Sequence, residues 1–313
     1  MVKERIIIDA DIGDDIDDMM AIAYALRRPE LEIVGITTVW GDVDTRARMA
    51  VQLLDLAGRR DIPVYAGCDE TLCGSVKKRG HINQVVGDLT PYTYDKTRHA
   101  VDFIIDTVLA SDGDITLVPI GALTNIAMAL IKCPQIKTKL KQIVWMGGMF
   151  YSHFITWNAA CDPDAVKVVF ESGVPLYAVS RDVCERCLMT KEQTERLLQS
   201  KDPVNRLLAE EIRLFREYHK REPILYDPLT VTAVFDKSLL TFKQEHVLVE
   251  TKGEYTRGLT LACRPHYDRF YMMPHFPRHE DIPVVNVACD VDVQGYIEHY
   301  LDCMLNMPVC PKQ

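Results

Sequence analysis

The chain alternates short β-branched runs with amphipathic segments through its first 180 residues. Apolar stretches at Arg5–Ile8, Leu31–Val39, Pro63–Ala66, Asp114–Pro119, Gln142–Met146 and Val174–Val179 have the length and composition of strands. Between them, Met19–Leu26, Thr45–Ala57, Ala100–Ala110, Ala122–Ile131 and Asp164–Glu171 carry helical periodicity. Continuous apolar strands separated by helices predict an α/β fold, with a mostly parallel, Rossmann-like sheet covered by helices on both faces. The pattern changes after residue 200. A helix charged on one face is expected over Asn205–Lys220, leading to Ile224–Ala233. Phe242–Glu250 and Arg257–Ala262 predict a small antiparallel element, and a closing C-terminal helix is expected over Asp290–Leu305. No repeat, low-complexity tract or Pro/Gly/Ser-rich linker breaks the chain, so residues 1–313 read as one domain. Residues 67–97 have weak periodicity and carry Gly67, Gly74, Gly80 and Gly87, the properties of an active-site lid.

Composition narrows the partners. Of 313 residues, 48% are hydrophobic and 26% charged, enough apolar material for a large core. A formal net charge of −9 argues against nucleic acid or an anionic membrane surface as partner. The first apolar run, Ile6–Ile8, is too short for a signal sequence, and no stretch of about 18 apolar residues could span a membrane. A soluble, cytoplasmic protein is expected. Ten cysteines without a secretory signal read as reduced thiols. The lone C-x-x-C at Cys184 and Cys187 lacks a second ligand pair and is a weak zinc or redox motif.

The densest chemistry is IIIDADIGDDIDD. Residues 9–18 hold six aspartates and no base. In a parallel sheet, ligands bind beyond the carboxyl ends of the strands, so the run Ile6–Ile8 delivers Asp9 and Asp11 to that face. Asp17 and Asp18 fall at the start of the next helix, where its dipole favours each carboxylate by only about 0.3–1 kcal/mol. A hard divalent cation is the simpler compensation for six of them. An EF-hand does not fit, because Met20 stands where its closing glutamate should be. A haloacid-dehalogenase-like Mg²⁺ phosphatase also begins with a strand ending in D-x-D, which would make Asp9 its nucleophile.

The run DADIGDDIDDMMAIAYAL resembles the N-terminal motif of the inosine/uridine-preferring nucleoside N-ribohydrolases, D-x-D-x-G-x-D-D before an alanine-rich helix. Further segments resemble that family in order: GITTVWGD at 35–42, LVPIGALTNIA at 117–127, VWMGG at 144–148, WNAACDPDAVKVVF at 157–170 and YDPLTV at 226–231. The resemblance implies hydrolysis of a ribonucleoside N-glycosidic bond, releasing ribose and a free base, in a family that commonly forms homodimers or homotetramers. It implies Ca²⁺ held by Asp11, Asp18, the main-chain carbonyl of Ile120 and Asp227, with Asp11 activating a metal-bound water. Asp17 and Asn158 would bind the ribose, and Asp9 would support the metal carboxylates. Asp14 and Asp15 lengthen the turn relative to the family pattern.

The base side departs from the family. Tyr226 stands where many members carry a histidine, Asp42 where an asparagine is usual, and Thr156-Trp157-Asn158 replaces Glu-x-Asn. Asp42, His81, Trp157 and Tyr226 are therefore the expected base-side residues, with Phe150, Tyr151 and His153 as a possible stacking surface. An acidic Asp42 would suit an amine-bearing modified nucleoside such as queuosine. Loss of the histidine leaves open a non-catalytic nucleoside- or ribose-binding protein.

Overall fold

A computed structural model describes residues 3–74, 82–263 and 278–312. Nine strands form one sheet: β1 (Glu4–Ala10), β2 (Leu31–Thr38), β3 (Val64–Ala66), β4 (Ile115–Pro119), β5 (Gln142–Met146), β6 (Leu176–Val179), β7 (Leu240–Val249), β8 (Thr260–Cys263) and β9 (Val284–Val291). Their order is β3-β2-β1-β4-β5-β6-β9-β7-β8. The first six strands and β9 pair in parallel, while β7 runs antiparallel to both β9 and β8 at one edge.

Eleven helices are described: α1 (Asp17–Ala25), α2 (Val43–Leu56), α3 (Ala100–Ala110), α4 (Thr124–Lys132), α5 (Trp157–Cys161), α6 (Pro163–Phe170), α7 (Arg181–Cys184), α8 (Lys191–Leu198), α9 (Pro203–His219), α10 (Tyr226–Phe235) and α11 (Val293–Asn306). Successive side chains of a strand point to opposite faces, so β1 serves two cores at once. Ile6, Ile8 and Ala10 pack with α1, α2, α9, α10 and α11, whereas Ile7 joins the cluster of α3, α4 and α6. Helix α1 is buried at all nine positions, which explains a composition apolar all round beyond its two leading aspartates.

The expected helices and strands of the first half are present within a residue or two at their ends. Other elements differ: the short helices α5 and α7 were not anticipated, and β8 begins at Thr260 rather than Arg257. Strand β9 enters the sheet between β6 and β7, although only a helix was expected near its end, and that helix begins at Val293 rather than Asp290. Its sequence, VVNVACDV, carries ordinary strand composition. Helix α8 was also not anticipated. It begins with a capping box in which Thr190 and Gln193 satisfy each other's backbone N–H groups.

The strand order reverses at β1, where the chain leaves toward β2 and β3 and later returns to β4 on the other side. The loops after β1 and β4 diverge at this switch point and open a crevice at the carboxyl ends. Asp9 lies level with Thr37 of β2 and Pro119 of β4, so Asp11 and Ile120 emerge side by side. Among the described residues, no helix is long and apolar enough to cross a membrane. All ten cysteines are free thiols, and Cys184 and Cys187 are buried.

Candidate active site

A cavity of about 330 Å³ lies at this crevice, lined by Asp11, Asp17, Asp18, Ile120, Asn158 and Asp227, and on its remaining walls by Asp14, Asp15, Asn83, Met146, Thr156, Trp157, Arg181, Tyr218, His219, Arg221 and Tyr226. The volume suits a small-molecule ligand. Helices α1 and α10 pack together and bring their first turns to it, so Asp17, Asp18 and Asp227 meet where two helix dipoles are positive. One carboxylate oxygen from each of the three lies within 4.8 Å of the others. Asp18 also accepts the main-chain N–H of Asp11 at 3.0 Å, which fixes the turn after β1 onto the start of α1. Gly121 lets the loop after β4 approach Asp11, since a Cβ there would stand 2.7 Å from Asp11 Oδ1.

The six clustered aspartates have different partners. Arg46, from the first turn of α2, is 1% exposed and reaches under the loop to the carbonyls of Asp11, Ile12 and Trp40. It also pairs with the carboxylate of Asp14 at 3.0 Å. Asp15 pairs with Arg221 at 2.7 Å. Asp9 is fully buried and accepts hydrogen bonds from the Thr37 hydroxyl at 2.6 Å and the Asn125 amide at 2.8 Å. That burial excludes Asp9 as a nucleophile toward phosphate and removes the phosphatase alternative. Asn125 also bonds Thr38 O and the N–H of Cys68, so it ties the ends of β1, β2 and β3 together.

Asp11, Asp17, Asp18 and Asp227 remain without a salt bridge among the described residues, at 2–6% exposure. Burial, then repulsion from neighbouring aspartates (Asp15 and Asp11 for Asp17, Asp11 and Asp17 for Asp18, Asp17 and Asp18 for Asp227), pushes all three well above the ordinary carboxylate range. Burial likewise raises Asp11 to about 6, with Arg46 opposing the shift. Asp227 Oδ1 is buried with no hydrogen-bond partner among the described residues. An all-oxygen donor set with an orphaned carboxylate oxygen fits a hard divalent cation. The Ile120 carbonyl, already accepting from Asn158 Nδ2 at 2.7 Å, keeps a second lone pair for the same purpose.

Asn158 lies in α5 and lines the cavity, and its Nδ2 bridges Ile120 O and Met146 O. Trp157, 48% exposed, stands on the cavity wall, and its indole near Asp11 favours the charged carboxylate. Tyr226 also lines the cavity. Burial raises its hydroxyl above the ordinary phenol range, while Arg181 and Arg221 pull it back.

Asp42 is placed elsewhere. It caps α2, accepting from the N–H of Thr45 at 3.1 Å and its hydroxyl at 2.7 Å, and it is not among the cavity-lining residues. Phe150 is buried beside the core of β5 and α6, Tyr151 bonds Glu245, and neither they nor His153 line the cavity. His81 lies outside the described residues. Arg46, Asn125, His219 and Arg221 had no local sequence signal, because each acts on a loop far from it along the chain, and Arg181, paired with Glu185 four residues on, gave no signal that it faces the cavity.

Comparison with known proteins agrees with this geometry. Residues 6–298 match the family described as inosine-uridine preferring nucleoside hydrolase. The chain is 32% identical to probable uridine nucleosidase 2 of Arabidopsis thaliana, over 97% of this chain and 98% of that protein. It is 31% identical to the pyrimidine-specific ribonucleoside hydrolase RihA of Escherichia coli, over 95% and 97% of the two chains. Among solved structures, the plant nucleoside hydrolase PpNRh1 superposes with a TM-score of 0.84 at 30% identity, covering 97% of this chain and 99% of that one. The purine-preferring ribonucleoside hydrolase from Gardnerella vaginalis gives 0.79 at 30% identity, covering 96% and 98%.

Proposed function

The chain belongs to the inosine-uridine preferring nucleoside hydrolases, an enzyme family, and on that premise we propose that it is a Ca²⁺-dependent ribonucleoside hydrolase with Asp11 as general base. The observation that carries this reading is the set of four buried carboxylates, none in a salt bridge among the described residues, that line a cavity of small-molecule size. Asp11, Asp18, Asp227 and the Ile120 carbonyl would hold the ion. When bound, Ca²⁺ offsets their charge and favours oxygen ligands, including sugar hydroxyls.

The residues then divide the work. Asp17 accepts hydrogen bonds from the ribose hydroxyls, and Asn158 orients the same ring. Asp11 takes a proton from the attacking water as its oxygen bonds to C1′. The transition state resembles an oxocarbenium ion, and the surrounding carboxylates stabilise its positive charge.

A base bearing an exocyclic amine, such as that of queuosine, would need an acidic partner at its edge. Asp42, the residue that suggested one, is committed to Thr45, while Arg181 and Arg221 line the cavity. Those donors support an unmodified, carbonyl-bearing base instead.

The test is release of free ribose from plain and modified nucleosides, with Ca²⁺ or with chelator. Ca²⁺-dependent release from at least one nucleoside is expected, and Asp11→Asn should slow it on the order of 10²–10⁴-fold. Tight nucleoside binding without ribose release from any substrate would instead mark a binding protein.

A further inference from the structure

The turn between β1 and α1 is gripped by residues that lie about 200 positions further along the chain. Helix α9 ends at His219, and the next residue, Lys220, adopts the left-handed conformation with a φ of 55°, where glycine is the usual occupant. The residues on either side of that reversal reach the same turn. His219 directs Nε2 to the main-chain carbonyl of Asp14 at 3.0 Å, and a carbonyl can only accept, so that nitrogen carries a proton. Arg221 donates from Nη2 to Asp15 Oδ2 at 2.7 Å. Both side chains rest on one platform, the buried ring of Phe215. The imidazole stacks on it with centroids 4.6 Å apart, and the guanidinium lies 4.8 Å from its centre. The other oxygen of Asp15 accepts the N–H of Ile16 at 2.7 Å, at the cap position of α1. Asp17 and Asp18 follow directly, and Asp18 in turn accepts the N–H of Asp11. Further donors come from residues 83 and 84: the N–H of Asn83 bonds Gly13 O at 3.0 Å, and Gln84 Nε2 donates to Asp14 O at 3.3 Å.

We propose that His219 and Arg221 are positioning residues for the metal-binding loop: clipped to Asp14 and Asp15, they hold the turn in the form that brings Asp11 and Asp18 together with Asp227. They act through the turn and not by ligating the ion. The inference rests on the hydrolase reading above. Like charges brought this close repel, so the loop that carries Asp11, Asp17 and Asp18 is pushed away from Asp227 unless other elements hold it. Arg46 holds it from α2, at Asp14 Oδ2 and at the carbonyls of Asp11 and Ile12. The clip holds it from the end of α9, and a loop fixed before the ion arrives has less ordering left to lose on binding. The two residues that lengthen this turn are the two that the clip grasps, which gives Asp14 and Asp15 a role outside the ligand set.

Calorimetric titration of the chelated protein with Ca²⁺ tests the clip without using turnover. His219→Phe keeps a ring on Phe215 and loses the donor, while Arg221→Gln loses the charge that pairs with Asp15. Each should weaken Ca²⁺ binding by about 10–100-fold, the usual loss when a group that orients metal ligands is removed. His219→Gln returns an N–H donor and should bind within about threefold of the wild type. Melting temperatures of the chelated variants read folding separately. A pair of residues that served the fold alone would lower those temperatures and leave the affinity unchanged. Either His219→Phe or Arg221→Gln binding Ca²⁺ as tightly as the wild type overturns the proposal and leaves the hydrolase reading intact. A loss in His219→Gln equal to that in His219→Phe does the same. A wild type that takes up no Ca²⁺ overturns both.

Discussion

Replacing Asp227 by asparagine should stabilise the metal-free protein and abolish its stabilisation by Ca²⁺. Asp227 is 2% exposed, and its carboxylate lies with those of Asp17 and Asp18 inside a 4.8 Å set. At that separation and an effective dielectric of about 20, each charged pair repels by about 3.5 kcal/mol. Asparagine removes two of the three pairs, roughly 7 kcal/mol if all three groups were ionised. A proton taken up by any one of them relieves the same repulsion, at about 1.4 kcal/mol per unit of pKa displacement. The observable gain is therefore smaller, about 1–3 kcal/mol, or a rise of a few degrees in Tm. In the wild type, Ca²⁺ at a hundredfold its Kd should add about 2.7 kcal/mol. Thermal unfolding of both proteins, with chelator and with Ca²⁺, reads the two effects separately. Metal-free Asp227→Asn melting below metal-free wild type would refute the repulsion argument. Equal Ca²⁺ shifts in both proteins would refute the ligand assignment.

The same physics sets a pH dependence. Burial holds Asp11 at about 6 and Asp9 at about 7, so between about pH 4 and 7 the folded metal-free protein keeps protons that the unfolded chain has released. That contribution is fully present below the unfolded value and is lost as pH rises through the folded ones. Urea midpoints of chelated protein should fall across this window relative to Ca²⁺-loaded protein, and parallel curves would contradict the assignment. Arg46→Ala should lose about 3–5 kcal/mol by stranding the Asp14 carboxylate and three carbonyls, again read from urea unfolding, and a loss under 1 kcal/mol would show that water replaces it. Asp42→Ala should lose only about 1 kcal/mol of capping energy. Its kcat/KM should stay within about twofold of wild type, and a tenfold change would return Asp42 to the base site.

The parallel half of the fold was legible because its information is local. Three isoleucines before Asp9, LVP before Ile120 and QIVWM before the next loop each state a buried strand, and the helices between them state how far the chain must travel. Strand β9 was missed despite an equally local signal, VVNVACDV, and its insertion between β6 and β7 is a pairing that no strand specifies alone. The expected carboxylates and Asn158 meet at one cavity because they sit at the ends of strands and the starts of helices whose positions the pattern already implied. Asp42 failed that reasoning. As an Asx residue ahead of a helix it had a local partner in Thr45, and a cap satisfies the carboxylate without any ligand.

By itself, then, the sequence determined where acid would gather: after β1, in the first turn of α1, and in the first turn of α10. Only the tertiary structure decided which of those carboxylates would be neutralised. Arg46 reaches Asp14 from 32 residues away, and Arg221 reaches Asp15 from 206. Charge pairing depends on distance through space, which hydrophobic periodicity does not encode. Six aspartates in a row of ten look alike in sequence. Folding gives Asp14 and Asp15 an arginine each, buries Asp9 among neutral donors, and leaves Asp11, Asp17 and Asp18 facing Asp227 across a cavity.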